Sequence, residues 1–227
     1  MAAVPSLAGM WRFERRDAIA VVSGHTGGCR EAGGSFGELN LGVVTRVGGA
    51  QVAGLLVHEW VAARGGSENV LEALRECLPD TDLWVLWNDD PQRFATAEES
   101  WLARTPLRGR RALSLPLMPF VWRSVKGGRD YDWVLASTHL FAHHVRVRRQ
   151  PLRKLAYVHT PARYIWAPEV DARGDGLVVR MASSSLRWLD RRRAQELYSI
   201  AANSSYIRDR IQRSWGRDSR VIYPPVN

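Results

Sequence analysis

The residues best suited to chemistry stand where an apolar run, of the kind that forms a buried strand, gives way to a loop. Arg64-Gly-Gly-Ser-Glu68 lies between such a run and a helical pattern. Paired glycines let a ligand approach the backbone closely, and the free N–H groups of the helix start favour an anion such as a diphosphate. The loop lacks the lysine of a Walker motif. It is therefore either an anion-binding loop, with Gly65, Gly66 and Ser67 as candidates, or an ordinary tight turn.

A second candidate, His159-Thr-Pro-Ala-Arg-Tyr164, also follows an apolar run directly. Imidazole transfers protons and forms hydrogen bonds near neutral pH, which makes His159 the candidate catalytic residue, although a lone histidine is more often a packing or surface residue. Arg163 carries a planar donor fork that suits phosphate or carboxylate. Tyr164 either stacks on a sugar or packs against the core.

Three further histidines, His139, His143 and His144, raise the question of a metal site. On a single helix, positions 139 and 143 would share a face, but the glutamate of an HExxH motif is missing and no carboxylate or thiol is close in sequence. We therefore expect these histidines to be solvated or to pack, and we expect no metal or other cofactor.

The elements that must position these residues alternate between strand and helix patterns. Continuous apolar runs predict buried strands at residues 52–57, 82–87, 133–136, 155–158, 200–202 and 220–223. Apolar stripes predict helices at residues 67–78, 186–198 and 204–215, with a loop and short helix at 113–125. This alternation predicts an α/β fold with a Rossmann-like, doubly wound parallel sheet. Because ligands bind at the carboxyl ends of such strands, Gly65, Gly66 and His159 should lie along one rim.

Composition narrows the classes of partner. The net charge of +9 comes almost wholly from arginine and suits nucleic acid, an anionic membrane surface or a phosphorylated substrate. Most tryptophans fall in apolar runs, which argues against nucleic acid. A basic helix pattern around residues 187–193 and a basic cluster at 146–154 are typical of solvated faces or of contacts with anionic membranes. The sequence contains no uninterrupted apolar run of about 20 residues and no secretory signal pattern, so we expect a cytoplasmic protein.

Several of these segments, taken in order, resemble the N-terminal domain of family 4 glycosyltransferases. The matching segments are His58-Glu-Trp60, Gly65-Gly-Ser-Glu68, Leu78-Pro79, Tyr131-Asp-Trp-Val-Leu-Ala-Ser137, Tyr157-Val-His-Thr-Pro-Ala-Arg-Tyr-Ile-Trp166, Ala202-Asn-Ser204 and Val221-Ile-Tyr-Pro-Pro-Val226. The block from Tyr157 to Trp166 is the most specific of them. The chain departs from the family at Ala167-Pro168, where an acidic residue is common.

The resemblance implies half of a two-domain GT-B enzyme that moves a sugar from a nucleotide-sugar to a glycan, lipid-linked or polysaccharide acceptor, with retention of configuration and without a metal. By similarity, Gly65 and Gly66 approach the donor diphosphate, His159 hydrogen-bonds the transferring sugar, and Arg163 and Tyr164 line the cleft. Many relatives act at the inner face of the plasma membrane, which the basic helices would contact.

The same resemblance divides the chain into three parts. Residues 1–50 lie outside the resemblance and show no sustained period, so we expect a weakly structured extension, and one hypothesis is that translation begins near Val43 or Val44. Residues 51–223 form the Rossmann-like domain. Residues 224–227 begin an interdomain linker, so we expect the donor-binding domain to be absent and the chain to be inactive alone. The alternative function is a non-catalytic module that binds a phosphorylated sugar or an anionic surface.

Overall fold

The structure, a computed structural model, describes residues 53–125, 128–148, 153–166 and 177–225, with side chains of the last range from residue 184. Before these it describes two short antiparallel strand pairs. They are β1 (Phe13–Arg15) with β2 (Ala18–Ala20), and β3 (Arg46–Val47) with β4 (Ala50–Gln51). The remainder of residues 1–50, predicted to be weakly structured, lies outside the described residues.

The centre of the fold is a seven-stranded sheet in which every pair of neighbours is parallel. Its strands are β5 (Gly54–His58), β6 (Asp82–Val85), β7 (Ala97–Glu99), β8 (Trp133–Thr138), β9 (Arg153–Val158), β10 (Ser199–Ala202) and β11 (Arg220–Val221). They lie in the order β7-β6-β5-β8-β9-β10-β11. This is the order of a Rossmann-type sheet and confirms the predicted fold class.

Helices cover both faces of the sheet. They are α1 (Gly66–Cys77), α2 (Arg111–Ser114), α3 (Met118–Trp122), α4 (Arg163–Trp166), α5 (Leu177–Ala194) and α6 (Ser205–Trp215), with short 3-10 helices at Trp101–Arg104 and Ala142–His144. Among the described residues, none of the helices combines the length and apolar character needed to cross a bilayer.

Alternate residues of the strands supply two separate cores. In β5, Leu55 and Val57 join one apolar cluster while Leu56 joins the other. The central strands are buried on both faces, which is why they appear in the sequence as continuous apolar runs. Among the tryptophans that the structure describes, six are buried, in agreement with the prediction: Trp60, Trp84, Trp87, Trp122, Trp133 and Trp215.

Three local details differ from the sequence predictions. The strand β7 has the polar sequence Ala-Glu-Glu, which carries no apolar signal because β7 is an edge strand. The helix α5 begins at Leu177, before the predicted start at 186. The helix α1 begins at Gly66, one residue before the predicted start at 67, and its N-cap Gly65 makes no side-chain hydrogen bond. The helix α6, in contrast, is capped by Ser204, whose hydroxyl accepts the N–H of Ile207 at 3.3 Å.

Candidate functional site

The sheet contains a topological switch point between β5 and β8. From β5 the chain runs outward to β6 and β7, and it then returns to β8 and runs outward on the opposite side. The loops after β5 and β8 therefore leave in opposite directions and open a crevice at the carboxyl ends of the strands, which is where ligands bind in such sheets. His58 ends β5, and His139 directly follows β8.

Three histidines meet at this crevice. The ring centroid of His58 lies 5.6 Å from that of His139 and 6.1 Å from that of His159, and the latter two are 6.4 Å apart. The predicted site residue His159 therefore belongs to a cluster. From the sequence, His139 was a candidate only for metal binding, and His58 was noted only as part of the family resemblance.

A serine links two of these rings and determines which nitrogens carry protons. The Nδ1 atom of His58 lies 3.0 Å from the Ser137 carbonyl oxygen, which can only accept, so Nδ1 is protonated. Ser137 Oγ lies 3.1 Å from the same Nδ1 and 2.9 Å from His159 Nε2. The hydroxyl therefore accepts from His58 and donates to His159. Because Nε2 accepts this hydrogen bond, the neutral ring of His159 carries its proton on Nδ1. The Nδ1 atom has no hydrogen-bond partner among the described residues.

Burial keeps both rings neutral. It lowers the pKa of His159 to about 3, helped by the charges of His58 and His139. It lowers the pKa of His58 to about 4, again helped by His139. At neutral pH, His159 therefore offers the crevice a neutral N–H donor and not a full positive charge.

Glu59 is the buried anion of the site. Its Oε1 atom accepts hydrogen bonds from Thr138 Oγ1 at 2.8 Å and from the backbone N–H groups of Leu140 and Ala142 at 2.8 and 2.9 Å. Burial alone would raise the pKa of Glu59, but His139, His58 and these hydrogen bonds outweigh it and lower that pKa to about 2.

The carboxylate of Glu59 also lies close to the ring of His139. Its Oε2 atom lies 3.3 Å from His139 Nδ1, and the edge of the His139 ring packs on Trp60 at 4.7 Å between centroids. The side chain of His139 remains 21% exposed. The contact between Oε2 and Nδ1 is within ion-pair distance but is not a hydrogen bond, and the hydrogen bonds from His139 to Glu59 come from its backbone N–H. Sequence reasoning missed this pair because its members are 80 residues apart.

The glycine loop connects to the same cluster through Glu68. This carboxylate accepts from the Ala62 N–H at 3.0 Å and from Ser67 Oγ at 2.7 Å. Burial raises the pKa of Glu68, but these hydrogen bonds and the nearby charge of His58 lower it overall. The glycine loop follows β5 and the His159 block follows β9, so both leave the carboxyl edge of the same parallel sheet. That they contact one ligand stays a prediction.

The two glycines of this loop differ in their surroundings. A Cβ atom at Gly65 would lie 2.1 Å from Glu68 Oε2, whereas a Cβ atom at Gly66 would meet nothing within 4 Å. A side chain at Gly65 would therefore displace the Glu68 carboxylate, whereas Gly66 borders open space. The other two predicted cleft residues lie on α4, where Arg163 is exposed and Tyr164 packs partly against the core.

A second buried carboxylate, Asp190, lies on α5. Its Oδ1 atom is 3.0 Å from His143 Nε2 and 2.9 Å from His144 Nε2. Its Oδ2 atom accepts the indole N–H groups of Trp166 at 2.6 Å and Trp215 at 2.7 Å. His143 and His144 are thus fully buried hydrogen-bonding residues, which corrects the alternative of a solvated role.

The histidines also differ from the single helix considered in the sequence analysis. His139 follows β8, while His143 and His144 lie on the 3-10 helix, and each group faces a carboxylate that is distant in sequence. Within the described part of the chain, two groups could hold a metal ion: one is His58, Glu59 and His139, and the other is His143, His144 and Asp190. In both, the carboxylate oxygens already accept protein hydrogen bonds, with which a cation would share the oxygens.

Comparisons with known proteins identify the family to which the chain belongs. The model of Glycosyltransferase Family 4 matches residues 64–227. Among solved structures, the chain is similar to Anabaena Alr3699/HepE in complex with UDP-glucose, at 15% identity and a TM-score of 0.44, over 77% of this chain and 44% of that one. Alr3699/HepE in complex with UDP and glucose matches at 12% identity and a TM-score of 0.45, over 78% and 45% of the two chains.

This chain thus spans less than half the length of that solved protein. No curated protein matches it in sequence. The family model, which contains both the glycine loop and the His159 block, covers well over half of the chain. The chain therefore belongs to glycosyltransferase family 4.

Proposed function

We propose that this chain forms the acceptor-side wall of a GT-B glycosyltransferase site, which transfers a sugar from a nucleotide-sugar to a glycan, lipid-linked or polysaccharide acceptor with retention of configuration. The observation that carries the proposal is the cluster of His58, His139 and His159 at the switch point of the sheet, beside the open backbone at Gly66. Family membership specifies sugar transfer as the class of chemistry.

The proposed roles follow from charge and geometry. The neutral His159 donates its Nδ1–H to a hydroxyl of the transferring sugar, because Ser137 occupies its other nitrogen. The backbone around Gly66 and the side chain of Ser67 approach the donor phosphates, where the N-terminus of α1 adds a favourable dipole. Arg163 and Tyr164 line the cleft on the acceptor side.

The proposed reaction requires a nucleotide-sugar donor and stabilisation of its leaving diphosphate. Anabaena Alr3699/HepE has been crystallised with UDP-glucose, so a UDP-sugar is the first donor to try here. We propose that transfer proceeds without a metal, with protein donors carrying the developing charge on the leaving diphosphate.

The test is release of nucleoside diphosphate by the full-length gene product, supplied with a panel of nucleotide-sugars and acceptor extracts. We expect one donor to be consumed, and His159→Ala to lower kcat by about 10²–10⁴-fold, the range for a lost proton-transfer or hydrogen-bonding group. His159→Asn should retain more activity than His159→Gln, because the Asn amide occupies the position of Nδ1. Absence of release with every donor would refute sugar transfer, and equal activity of the Asn and Gln variants would refute the Nδ1 role.

A further inference from the structure

Two imidazole nitrogens at the crevice are buried and make no hydrogen bond. They are Nε2 of His58 and Nδ1 of His139, and neither atom has a partner among the described residues. One ring nitrogen of each histidine and one oxygen of Glu59 lie within 4.8 Å of one another. A buried polar atom that stays unpaired costs free energy unless a ligand satisfies it. Two such atoms beside a buried carboxylate form a donor set for a metal ion.

The separation between His139 and Glu59 fits two ligands of one ion better than a hydrogen bond. Glu59 Oε2 lies 3.3 Å from His139 Nδ1. An N–H···O hydrogen bond is usually about 2.7–3.2 Å long. Two atoms that each lie about 2.05 Å from a tetrahedral Zn²⁺ ion are about 3.3 Å apart. Oε2 also keeps a free lone pair, because its hydrogen bond among the described residues is a single one, from the backbone N–H of His139 at 3.1 Å.

The other polar atoms of these side chains are held as those of metal ligands commonly are. A ligating histidine usually donates its second N–H to a carbonyl or carboxylate, and a ligating carboxylate accepts further hydrogen bonds. Nδ1 of His58 donates to the Ser137 carbonyl at 3.0 Å, which leaves the lone pair on Nε2. Oε1 of Glu59 accepts from Thr138 Oγ1 at 2.8 Å and from two backbone N–H groups. Both side chains are therefore oriented by the protein itself.

We propose that His58 Nε2, Glu59 Oε2 and His139 Nδ1 bind a divalent transition-metal ion, with Zn²⁺ as the first candidate. Two imidazoles and a carboxylate suit Zn²⁺ and its neighbours, whereas Mg²⁺ and Ca²⁺ prefer oxygen ligands. The side chain of His139 is 21% exposed, so the ion can enter from the crevice, and water from that side completes its coordination. The site goes beyond the proposed sugar transfer, in which no metal takes part.

The group around Asp190 is a weaker candidate because protons already satisfy it. Asp190 Oδ1 accepts from His144 Nε2 at 2.9 Å, and Oδ2 accepts two indole N–H groups. The side chains of Asp190, His143 and His144 are at most 1% exposed, which closes this group to solvent. The group at the crevice is therefore the one that an ion can reach.

The experiment is titration of the metal-free, untagged protein with Zn²⁺ in a calorimeter and with Co²⁺ in a spectrophotometer. We expect saturable binding of one ion per chain and the strong visible Co²⁺ bands of a site with fewer than six ligands. His139→Phe removes Nδ1 but keeps a ring that packs on Trp60. It should weaken Zn²⁺ binding by at least about 100-fold, because losing a residue that only orients a ligand already costs about 10–100-fold.

Control measurements separate this site from other strong ligands and from unfolding. Thiolates bind Zn²⁺ tightly, so Cys29→Ser with Cys77→Ser removes both cysteines of the chain and should leave the affinity unchanged. His139→Phe should unfold at the temperature of the parent protein in a calorimetric scan, since its ring replaces the imidazole in the packing.

The proposal is overturned if the parent shows no saturable binding, if folded His139→Phe keeps the parental Zn²⁺ affinity, or if the cysteine variant loses binding. The Co²⁺ spectrum of the parent depends on no variant, and the weak bands of an ion with six oxygen ligands would also overturn it. No nucleotide-sugar is present in these titrations, so metal binding and sugar transfer can each fail without the other.

Discussion

At the scale of single residues, adjacent glycines serve different purposes. Gly65 is excluded from carrying a side chain by Glu68, whose carboxylate is held by the Ala62 N–H and by Ser67. Gly66 has no such neighbour, and nothing lies within 4 Å of the position that a Cβ atom would take. The first glycine therefore contributes to folding, and the second is available to a ligand.

This difference predicts opposite phenotypes for two neighbouring substitutions. Gly65→Ala should lower the free energy of unfolding by about 1 kcal/mol, because Glu68 must move and leave the partly buried N–H of Ala62 unpaired. Gly66→Val should change that free energy by less than about 1 kcal/mol, since a β-branched residue replaces glycine in the first helical turn without a clash. It should nevertheless weaken donor binding at least tenfold by blocking the approach to the backbone.

Urea denaturation and calorimetric titration of the nucleotide-sugar separate the two effects. Gly66→Ala is the intermediate case, with the smallest side chain and an expected small gain in stability from helix propensity. If Gly66→Val leaves the donor affinity unchanged, the loop is an ordinary turn and does not bind the donor.

At the scale of elements, the sequence predicts the sheet better than the site. Continuous apolar runs revealed the central strands because both faces of a parallel sheet are buried, and they placed His159 and the glycine loop at the correct edge. The buried carboxylates were not predictable from local patterns. Glu59 accepts from groups 79–83 residues away, and Asp190 from a histidine 46 residues away. Only the strand order brings such partners together.

Asp190 illustrates how one side chain joins several elements. It lies on α5 and receives donors from the 3-10 helix after β8, from α4 and from α6. Burial alone would raise the pKa of Asp190, but the charge of His143 and the hydrogen bonds from His143 and His144 lower it well below the ordinary range. The carboxylate is therefore charged and fully paired in the core.

Removing that charge should loosen all four elements together. We expect Asp190→Asn to reduce the free energy of unfolding by about 3–5 kcal/mol, the cost of breaking a buried charged network from one side. Asp209→Asn on α6 is the matched control, because its carboxylate is exposed beside Arg208 and should contribute less than about 1 kcal/mol. Urea unfolding followed by tryptophan fluorescence measures both, and equal stabilities for the two variants would contradict the network.

At the scale of the whole molecule, the buried histidines couple folding to pH. Burial, reinforced by neighbouring imidazoles, lowers the pKa of His58 to about 4, of His144 to about 4 and of His159 to about 3, from an ordinary 6.5. Between those values and 6.5, the unfolded chain binds protons that the folded chain does not. Stability from these groups is therefore complete above pH 6.5 and is lost as the pH falls through the window.

Below pH 4.5, protonation of buried carboxylates causes a further loss of folding stability. Charged partners and hydrogen bonds outweigh burial to lower the pKa of Glu59 and of Glu196 from 4.5 to about 2, so their stabilisation is present above pH 4.5 and disappears below it. The net charge of +9 rises further as carboxylates become protonated, which adds repulsion in the folded state. As the pH falls, the stabilisation from the histidines is lost before that from the carboxylates. The free energy of unfolding should therefore begin to decrease at mildly acidic pH, well before most carboxylates titrate.

The expected outcome is a free energy of unfolding that is nearly constant just above pH 6.5 and declines below it, with a slope of up to about 1.4 kcal/mol per pH unit for each histidine that remains neutral in the folded state. Urea unfolding across this range measures the slope. His159→Asn removes one titrating ring while keeping a hydrogen-bonding side chain. It should therefore reduce the slope by up to about 1.4 kcal/mol per pH unit. The dependence of stability on pH below 4.5, where the carboxylates titrate, should stay unchanged. If the parent protein is equally stable at pH 6.5 and at pH 4.5, these rings are protonated in the fold, and His159 cannot act as a neutral donor in the crevice.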